Sequence, residues 1–337
     1  MTDRTPFTPT PFRPARWLPG AHAQTVAGRF IRPPHGVAYR RERVETPDGD
    51  FLDLDFATVD GAPAAGDESP LCLVIHGLEG SSNSTYMLET CRALAGYGIR
   101  SVAMNFRGCS GEPNRALRFY HAGETGDTAF LLELLAARFP RATLLGVGFS
   151  LGANVLLKYL GERGADSRMR AAAAISIPFD LGAGSDKLDR SFMGRLYVRH
   201  FVRRLRGKFL GKRELIGDRL DAERIRRARS FREFDDAATA LLHGFRDAQD
   251  YYSRSSSAGY VARIRVPTLL VHATDDPFVD ERAIPHAEIE ANPWLYTAFT
   301  PHGGHVGFIG GSPRRPRFWA EGEAARFLAA QAGTERA

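Results

Sequence analysis

The chain has 337 residues, 43% of them hydrophobic and 25% charged; this ordinary globular composition excludes a disordered or fibrous protein and fits one large domain or two modest ones. Its 45 Lys and Arg against 39 Asp and Glu give a formal net charge of +6 and a pI near 9.4. Residues 190–232 alone hold 15 of the basic residues and 4 of the acidic ones, a local +11 that leaves the remainder at −5, so the basic excess belongs to one segment.

Cys72, Cys91 and Cys109 form neither a C-x-x-C pair nor a disulfide scaffold. The first 30 residues contain Arg4, Arg13, Arg16 and Arg29 but no continuous apolar stretch of the signal-peptide kind. No window approaches the roughly 18–20 apolar residues of a transmembrane helix. A reducing, cytoplasmic setting is the expectation.

In chain order, the Pro-rich stretch Thr5 to Pro19 predicts an extended arm over the surface, anchored by Phe7, Phe12 and Trp17. Tyr39 to Val44 and the alternating Phe51 to Phe56 flank P-D-G at 47–49 and predict an antiparallel hairpin. Residues 60–70 read as a loop, and Leu71 to Ile75 as a strand buried on both faces.

Alternation follows: a helix over Thr85 to Gly96, a strand over Arg100 to Asn105, a helix over Gly123 to Phe139, a strand over Ala142 to Val147, a helix over Leu151 to Gly161 and a strand over Ala171 to Ile177. Such alternation predicts a mostly parallel sheet with helices on both faces. Residues 180–258 show helical stretches and no strand. The alternation resumes with strands at Val266 to His272 and Leu295 to Phe299, then a helix near Arg317 to Gln331. The organisation expected is a single α/β domain over 1–337, with an N-terminal arm at 1–35, a core at 36–179 and 259–337, and a helical cap at about 180–258 on the carboxyl edge of the sheet.

Gly148-Phe149-Ser150-Leu151-Gly152 matches G-x-S-x-G between a predicted strand and a predicted helix, the setting of a nucleophile elbow. The glycines permit a tight turn, and the helix N-terminus favours negative charge beside the hydroxyl. A serine nucleophile needs a base and the base needs an orienter, found after late strands in this arrangement. His305 follows the last strand and Asp276 the one before it. His302 and Asp275 compete; Gly303 and Gly304 free the later histidine to turn inward, and the D-P pair at 276–277 favours the later aspartate. The oxyanion donors expected are the amides of Leu151 and of Leu78, in His76-Gly77-Leu78-Glu79-Gly80, with His76 holding the loop. Arg107 reads as a loop anchor, with binding of a substrate carboxylate the weaker alternative, and Glu124 and Asp127 as first-turn helix carboxylates. No metal or cofactor is needed for this chemistry.

Within the cap, Leu188, Phe192, Leu196, Phe201 and Leu205 recur at roughly helical spacing with Val198 and Val202 beside them, while Arg195, Arg199, Arg203, Arg204 and Arg206 fill much of the rest. The expectation is a cationic amphipathic helix with its apolar side lining a pocket and its arginines solvated. Peripheral attraction to an anionic membrane or substrate is the competing reading. Nucleic acid is set aside, since no recognition module accompanies the charge.

Together, G-A-H-A-Q-T at 20–25, H-G-L-E-G-S-S-N-S at 76–84, N-F-R-G-C-S-G at 105–111, Y-H-A-G-E-T-G-D at 120–127, G-F-S-L-G-A-N at 148–154, D-D-P-F at 275–278 and H-G-G-H-V-G-F at 302–308 resemble the YheT-like branch of the α/β-hydrolases. That branch includes bacterial esterases and eukaryotic proteins acting on phospholipids and acylglycerols. The resemblance implies an α/β-hydrolase fold and a serine hydrolase of carboxylic esters, of short-chain carboxylesterase or monoacylglycerol lipase type. It implies Ser150, Asp276 and His305 as the triad, and a small-molecule ester or lipid as substrate. Thioester hydrolysis or acyl transfer on the same triad stays open, as does a ligand-binding protein without catalysis.

Overall fold

The computed structural model describes residues 5–33, 36–63 and 65–334. Residues 1–4 and 34–35 of the expected arm, Ala64 of the 60–70 loop and the last three residues lie outside the described residues.

Eight strands form the main sheet: β1 (Val37–Glu45), β2 (Phe51–Val59), β3 (Leu71–Ile75), β4 (Arg100–Asn105), β5 (Leu144–Phe149), β6 (Ala171–Ile175), β7 (Thr268–Ala273) and β8 (Leu295–Thr300). Their spatial order is β1-β2-β4-β3-β5-β6-β7-β8. β1 pairs antiparallel with β2, and β2 antiparallel with β4; every other neighbour is parallel. β3, β5, β6 and β7 are buried along their whole length, so they need cover on both faces.

The cover comes from α3 (Gly126–Arg138) and α4 (Leu151–Arg163) on one side, with Leu131, Leu135, Leu156 and Leu160 in its core. On the other side α2 (Thr85–Ala95) packs with the C-terminal helix over Trp319–Ala332, contributing Met87, Leu94, Phe327 and Leu328. The parallel register aligns the carboxyl ends of β3, β5, β6, β7 and β8. The loops after these strands therefore emerge along one edge.

The arm runs as expected through residue 15, with Phe7 edge-on to Tyr296 and Phe327, and Phe12 against Phe308 and Trp319. Trp17 Nε1 donates to the carbonyl of Gly311 at 2.9 Å. The arm does not stay extended to residue 33, because Ala21–Ile31 forms a helix, α1. Its buried Gln24 bridges to Ile309, accepting from the Ile309 amide at 2.7 Å and donating to its carbonyl at 3.1 Å. A short hairpin, β9 (Ile309–Ser312) with β10 (Arg315–Phe318), precedes the last helix and delays its start to Trp319.

Between β6 and β7 the chain is helical: α5 (Leu181–Arg190), α6 (Phe192–Gly211), α7 (Arg213–Ile216), α8 (Ala222–Arg227), α9 (Phe231–Phe234), α10 (Ala240–Leu242) and α11 (Ala248–Ser255). A further helix, α12 (His286–Ala291), links β7 to β8, and the C-terminal helix is α13. The expected apolar stripe of the cap is corrected here. Leu188 belongs to α5, and Ser191 breaks the helix, its hydroxyl accepting the Gly194 amide at 2.9 Å as the cap of α6. α6 then buries Val198, Val202 and Phe209, while Phe192 and Leu196 are exposed.

Arg107 sits just past β4 with its side chain 2% exposed. Its guanidinium grips Asp127 in α3 at 2.7 and 2.8 Å, Asp50 at 2.9 Å and Asp48 at 2.9 Å. Asp127 does lie in the first turn of α3, as expected, and is in addition an ion-pair partner of Arg107. Glu124 lies just before α3 rather than in its first turn, and accepts the Gly126 amide at 2.8 Å. Asn114 extends the network, donating to Asp50 at 2.6 Å and accepting from Lys212, just past α6, at 2.6 Å. Burial would raise the Asp48 carboxyl, but the Thr46 hydroxyl and the Arg107 guanidinium bring it from 3.8 down to about 2.

Replacing Arg107 leaves buried carboxylates without their cation, so Arg107→Leu is expected to cost about 3–5 kcal/mol in urea unfolding. A depressed carboxyl contributes stability that is present above its unfolded pKa and lost as pH falls through the folded one. The gap between wild type and variant should therefore narrow between about pH 4 and about pH 2.

Candidate active site

Ser150 stands between β5 and α4 with φ 52° and ψ −119°, a backbone region that non-glycine residues avoid. The turn is held from behind. A methyl at Gly152 would lie 2.5 Å from the carbonyl oxygens of Ile75 and His76, so only glycine lets α4 start against the end of β3. Ser150 N–H donates to the Ile175 carbonyl at 2.9 Å, tying the turn to β6.

The loop after β8 brings His305 to this serine. His305 Nε2 and Ser150 Oγ are 2.8 Å apart, and His305 Nδ1 and Asp276 Oδ2 are 2.8 Å apart. Asp276 is fully buried and the imidazole is 10% exposed. Burial alone would raise the Asp276 carboxyl, but His305, then His272 and the Phe278 amide, hold it below the usual carboxylate value. The Phe278 N–H supplies that bond to Asp276 Oδ1 at 2.8 Å, and the Phe278 ring stacks on His305 with centroids 4.3 Å apart.

The competing pair forms its own contact. His302 is largely exposed, with Nδ1 3.4 Å from Asp275 Oδ2, and Asp275 Oδ1 accepts the Gly304 amide at 2.9 Å. Asp275 shapes the histidine loop rather than meeting His305. Other groups pin that loop as well. The His305 amide donates to Thr25 Oγ1 at 2.9 Å, and the Val306 amide to Ser176 Oγ at 2.8 Å. Arg32, buried against Glu321, donates to the carbonyls of Val306 at 2.7 Å and Gly307 at 3.1 Å. On the acid's side, Lys187 of α5 donates to the carbonyls of Asp276 at 2.7 Å and Val279 at 2.6 Å.

The loop after β3 completes the edge. His76 Nδ1 lies 2.7 Å from the Gly77 carbonyl, and Nε2 accepts the Phe106 amide at 3.1 Å. One ring nitrogen is a donor and the other an acceptor, which fixes a neutral tautomer. Burial brings its pKa down to about 4. Gly77 N–H donates to the Tyr86 hydroxyl at 2.9 Å. Among the described residues neither the Leu78 nor the Leu151 amide finds a backbone acceptor.

Glu79, at φ 54°, is a residue the sequence reading passed over. It lies buried where the cap meets this loop: Tyr120 O–H donates to its Oε1 at 2.8 Å, Lys208 Nζ lies 2.7 Å from the same oxygen, and Arg204 Nε is 3.4 Å from Oε2. Burial works against the Lys208 charge, but Cys109 and Glu79 hold its pKa above the ordinary lysine value. Only a glutamate set directly before Gly80 in a Gly-rich loop hinted at this in the sequence. Among the described residues, the non-glycine positive φ values fall at Glu79, Ser150, Ser176, Val306 and Phe308. All lie after β3, β5, β6 or β8, so backbone strain is gathered around the serine.

A doubly wound, mostly parallel sheet with a serine elbow and an acid and a histidine at its carboxyl edge defines an α/β-hydrolase. Residues 70–312 match the family described as alpha/beta hydrolase fold. The chain is 40% identical over 323 residues to YheT of Escherichia coli (strain K12), named as an esterase, covering 95% of this chain and 94% of that protein. It is 31% identical over 313 residues to Phospholipase ABHD3 of Mus musculus, covering 92% of this chain and 76% of that protein. Among solved structures, a Pyrococcus furiosus esterase superposes with a TM-score of 0.52 at 17% identity, covering 80% of this chain and 83% of that one, a likeness of fold. The chain belongs to the YheT-like family of α/β-hydrolases. Among the described residues no helix is long and apolar enough to cross a membrane.

The close approach of α4 to β3 is directly testable. Gly152→Ala places a methyl against backbone carbonyls and is expected to cost about 1–3 kcal/mol or more and lower the melting temperature by several degrees. Gly259→Ala, at a site with nothing within 4 Å, should leave it unchanged in the same thermal scan.

Proposed function

We propose that this protein hydrolyses carboxylic esters through an acyl-enzyme on Ser150, with His305 as base and Asp276 as its orienter. The relay of two 2.8 Å contacts, Ser150 Oγ to His305 Nε2 and His305 Nδ1 to Asp276 Oδ2, carries the reading. Asp276, buried and ionised, keeps the proton on Nδ1 and leaves Nε2 free to accept from the serine.

Ser150 Oγ bonds to the ester carbonyl carbon as its proton passes to His305 Nε2, and the carbonyl oxygen takes the negative charge. The Leu78 and Leu151 amides receive that oxyanion, helped by the N-terminus of α4. Glu79 positions the Leu78 loop through Tyr120, Lys208 and Arg204. The carbon–oxygen bond to the alcohol then breaks, and the leaving alkoxide takes the proton from His305. Water, deprotonated by His305, then adds to the acyl carbon, the bond from that carbon to Ser150 Oγ breaks, and Oγ takes the proton back from His305 as the acid leaves.

The substrate class that fits best is an acyl ester of glycerol or a phospholipid, or a short-chain ester in solution. The esterase and phospholipase names of the two relatives support it, and so does the aromatic surround of His305 made by Phe278, Tyr197 and Phe201. Residues 180–258 act in this reading as the cap over the serine.

A fluorophosphonate probe should label the wild type and fail on Ser150→Ala and His305→Ala; a folded wild type that stays unlabelled contradicts the reading. Asp276→Asn should lower kcat by about 10⁴-fold, the scale for a lost triad carboxylate. Asp275→Asn should keep most of the activity. A larger loss in Asp275→Asn than in Asp276→Asn would reassign the acid.

A further inference from the structure

Two helices that border the candidate triad turn apolar side chains outward. On α1, Val26 is 44% and Phe30 76% exposed, on the same face as exposed His22 and Arg29. On α6, Phe192 is 69% and Leu196 43% exposed, sharing a face with exposed Arg195, Arg199 and Arg203. Among the described residues only Leu215 and Leu241 are other large hydrophobics exposed in this way. The stripes are therefore a feature of these two helices and not of the surface at large.

The two helices meet at His22 and Tyr197, whose Nδ1 and hydroxyl are 3.1 Å apart. Arg29 also reaches the surroundings of His200 on α6: burial first, then Arg204, Arg29 and Arg203, push that imidazole below its ordinary value. Both helices touch the reactive histidine's surroundings. α1 supplies Thr25, which accepts the His305 amide, and α6 supplies Tyr197, which packs on Phe278 beneath the His305 ring.

We propose that the outward faces of α1 and α6 form one docking surface for an anionic lipid bilayer, with Phe30 and Phe192 entering the acyl region and Arg29, Arg195, Arg199 and Arg203 meeting headgroup phosphates. Interfacial helices combine these elements, an apolar stripe and flanking cations. Charge selects this occupant. Among the described residues no carboxylate pairs with Arg29, Arg199 or Arg203. A second copy related by a two-fold axis would bring the same cations against one another. The role of the surface, presenting lipid esters to Ser150, rests on the hydrolase reading, while the docking itself does not.

Vesicle cosedimentation separates the two. Wild-type protein should sediment with phosphatidylcholine/phosphatidylglycerol vesicles and about tenfold or more weakly with phosphatidylcholine alone. Binding should fall as salt rises from about 0.05 to about 0.5 M, because screening shortens the reach of the charges. The exposed-site variants Phe30→Ser/Phe192→Ser and Arg199→Glu/Arg203→Glu should each partition about tenfold or more weakly while hydrolysing a soluble short-chain ester at the wild-type rate. The proposal is overturned by wild type that ignores anionic vesicles, or by variants that bind as well as wild type. It is also overturned by a wild-type dimer that Phe30→Ser/Phe192→Ser makes monomeric, which would identify a second copy as the occupant. Binding as expected with no ester hydrolysed would support the docking surface and overturn the reading of Ser150.

Discussion

The close approach of α4 to the end of β3 sets the rest of the edge. Gly152 rests so near the Ile75 and His76 carbonyls that a methyl would sit 2.5 Å from them. This contact forces Ser150 to φ 52° at the head of α4, with the Leu151 amide beside it. It also locks Ser150 to the first residues of the loop that carries Leu78; a methyl at Gly77 would lie 3.1 Å from Ser150 Cβ. Candidate nucleophile and candidate oxyanion donors are thus one rigid assembly, positioned by two strands of a buried parallel sheet.

The other two members come from loops with no such internal constraint, so neighbours hold them. Thr25, Ser176, Arg32 and Asp275 each bond the backbone of the histidine loop, and Lys187 bonds that of the acid loop. These supports come from α1, from the loop after β6, from α5 and from the acid loop itself. The strained positions at Glu79, Ser150, Ser176, Val306 and Phe308 persist because this surrounding network over-determines them. The helical segment adds a further tie, since α6 reaches Glu79 through Lys208 and Arg204 while Lys212, just past it, reaches Asn114.

The strands and the order of serine, acid and histidine were legible because buried parallel strands are short apolar runs ending in turn residues, and the sheet places their ends together. Of the adjacent aspartates, Asp276 points into the protein toward His305, and Asp275 toward the loop backbone. α1 was missed because Ala21 to Gln24 carry little apolar signal, follow a Pro-rich run and lack a side-chain cap. The β9–β10 hairpin was hidden by its glycines and arginines. In the cap, apolar spacing ran across the break at Ser191, so two helices read as one. The alternative stripe Val198, Val202 and Phe209 faces inward, and Phe192 and Leu196 face out. Periodicity identifies a helix more reliably than it identifies which of two apolar faces is buried. Ion pairs such as Arg107 with Asp48, Asp50 and Asp127 join residues far apart in sequence and leave no local pattern.

If Ser150 is the nucleophile, it becomes acylated during turnover. Rapid acid quench of the protein with p-nitrophenyl butyrate, followed by peptide mass spectrometry, tests it most directly. A butyryl group is expected on the peptide containing Ser150, formed with a burst of p-nitrophenol and lost as the reaction completes. Turnover with the acyl group on another residue, or without any acylated peptide under conditions where the burst is seen, would contradict it.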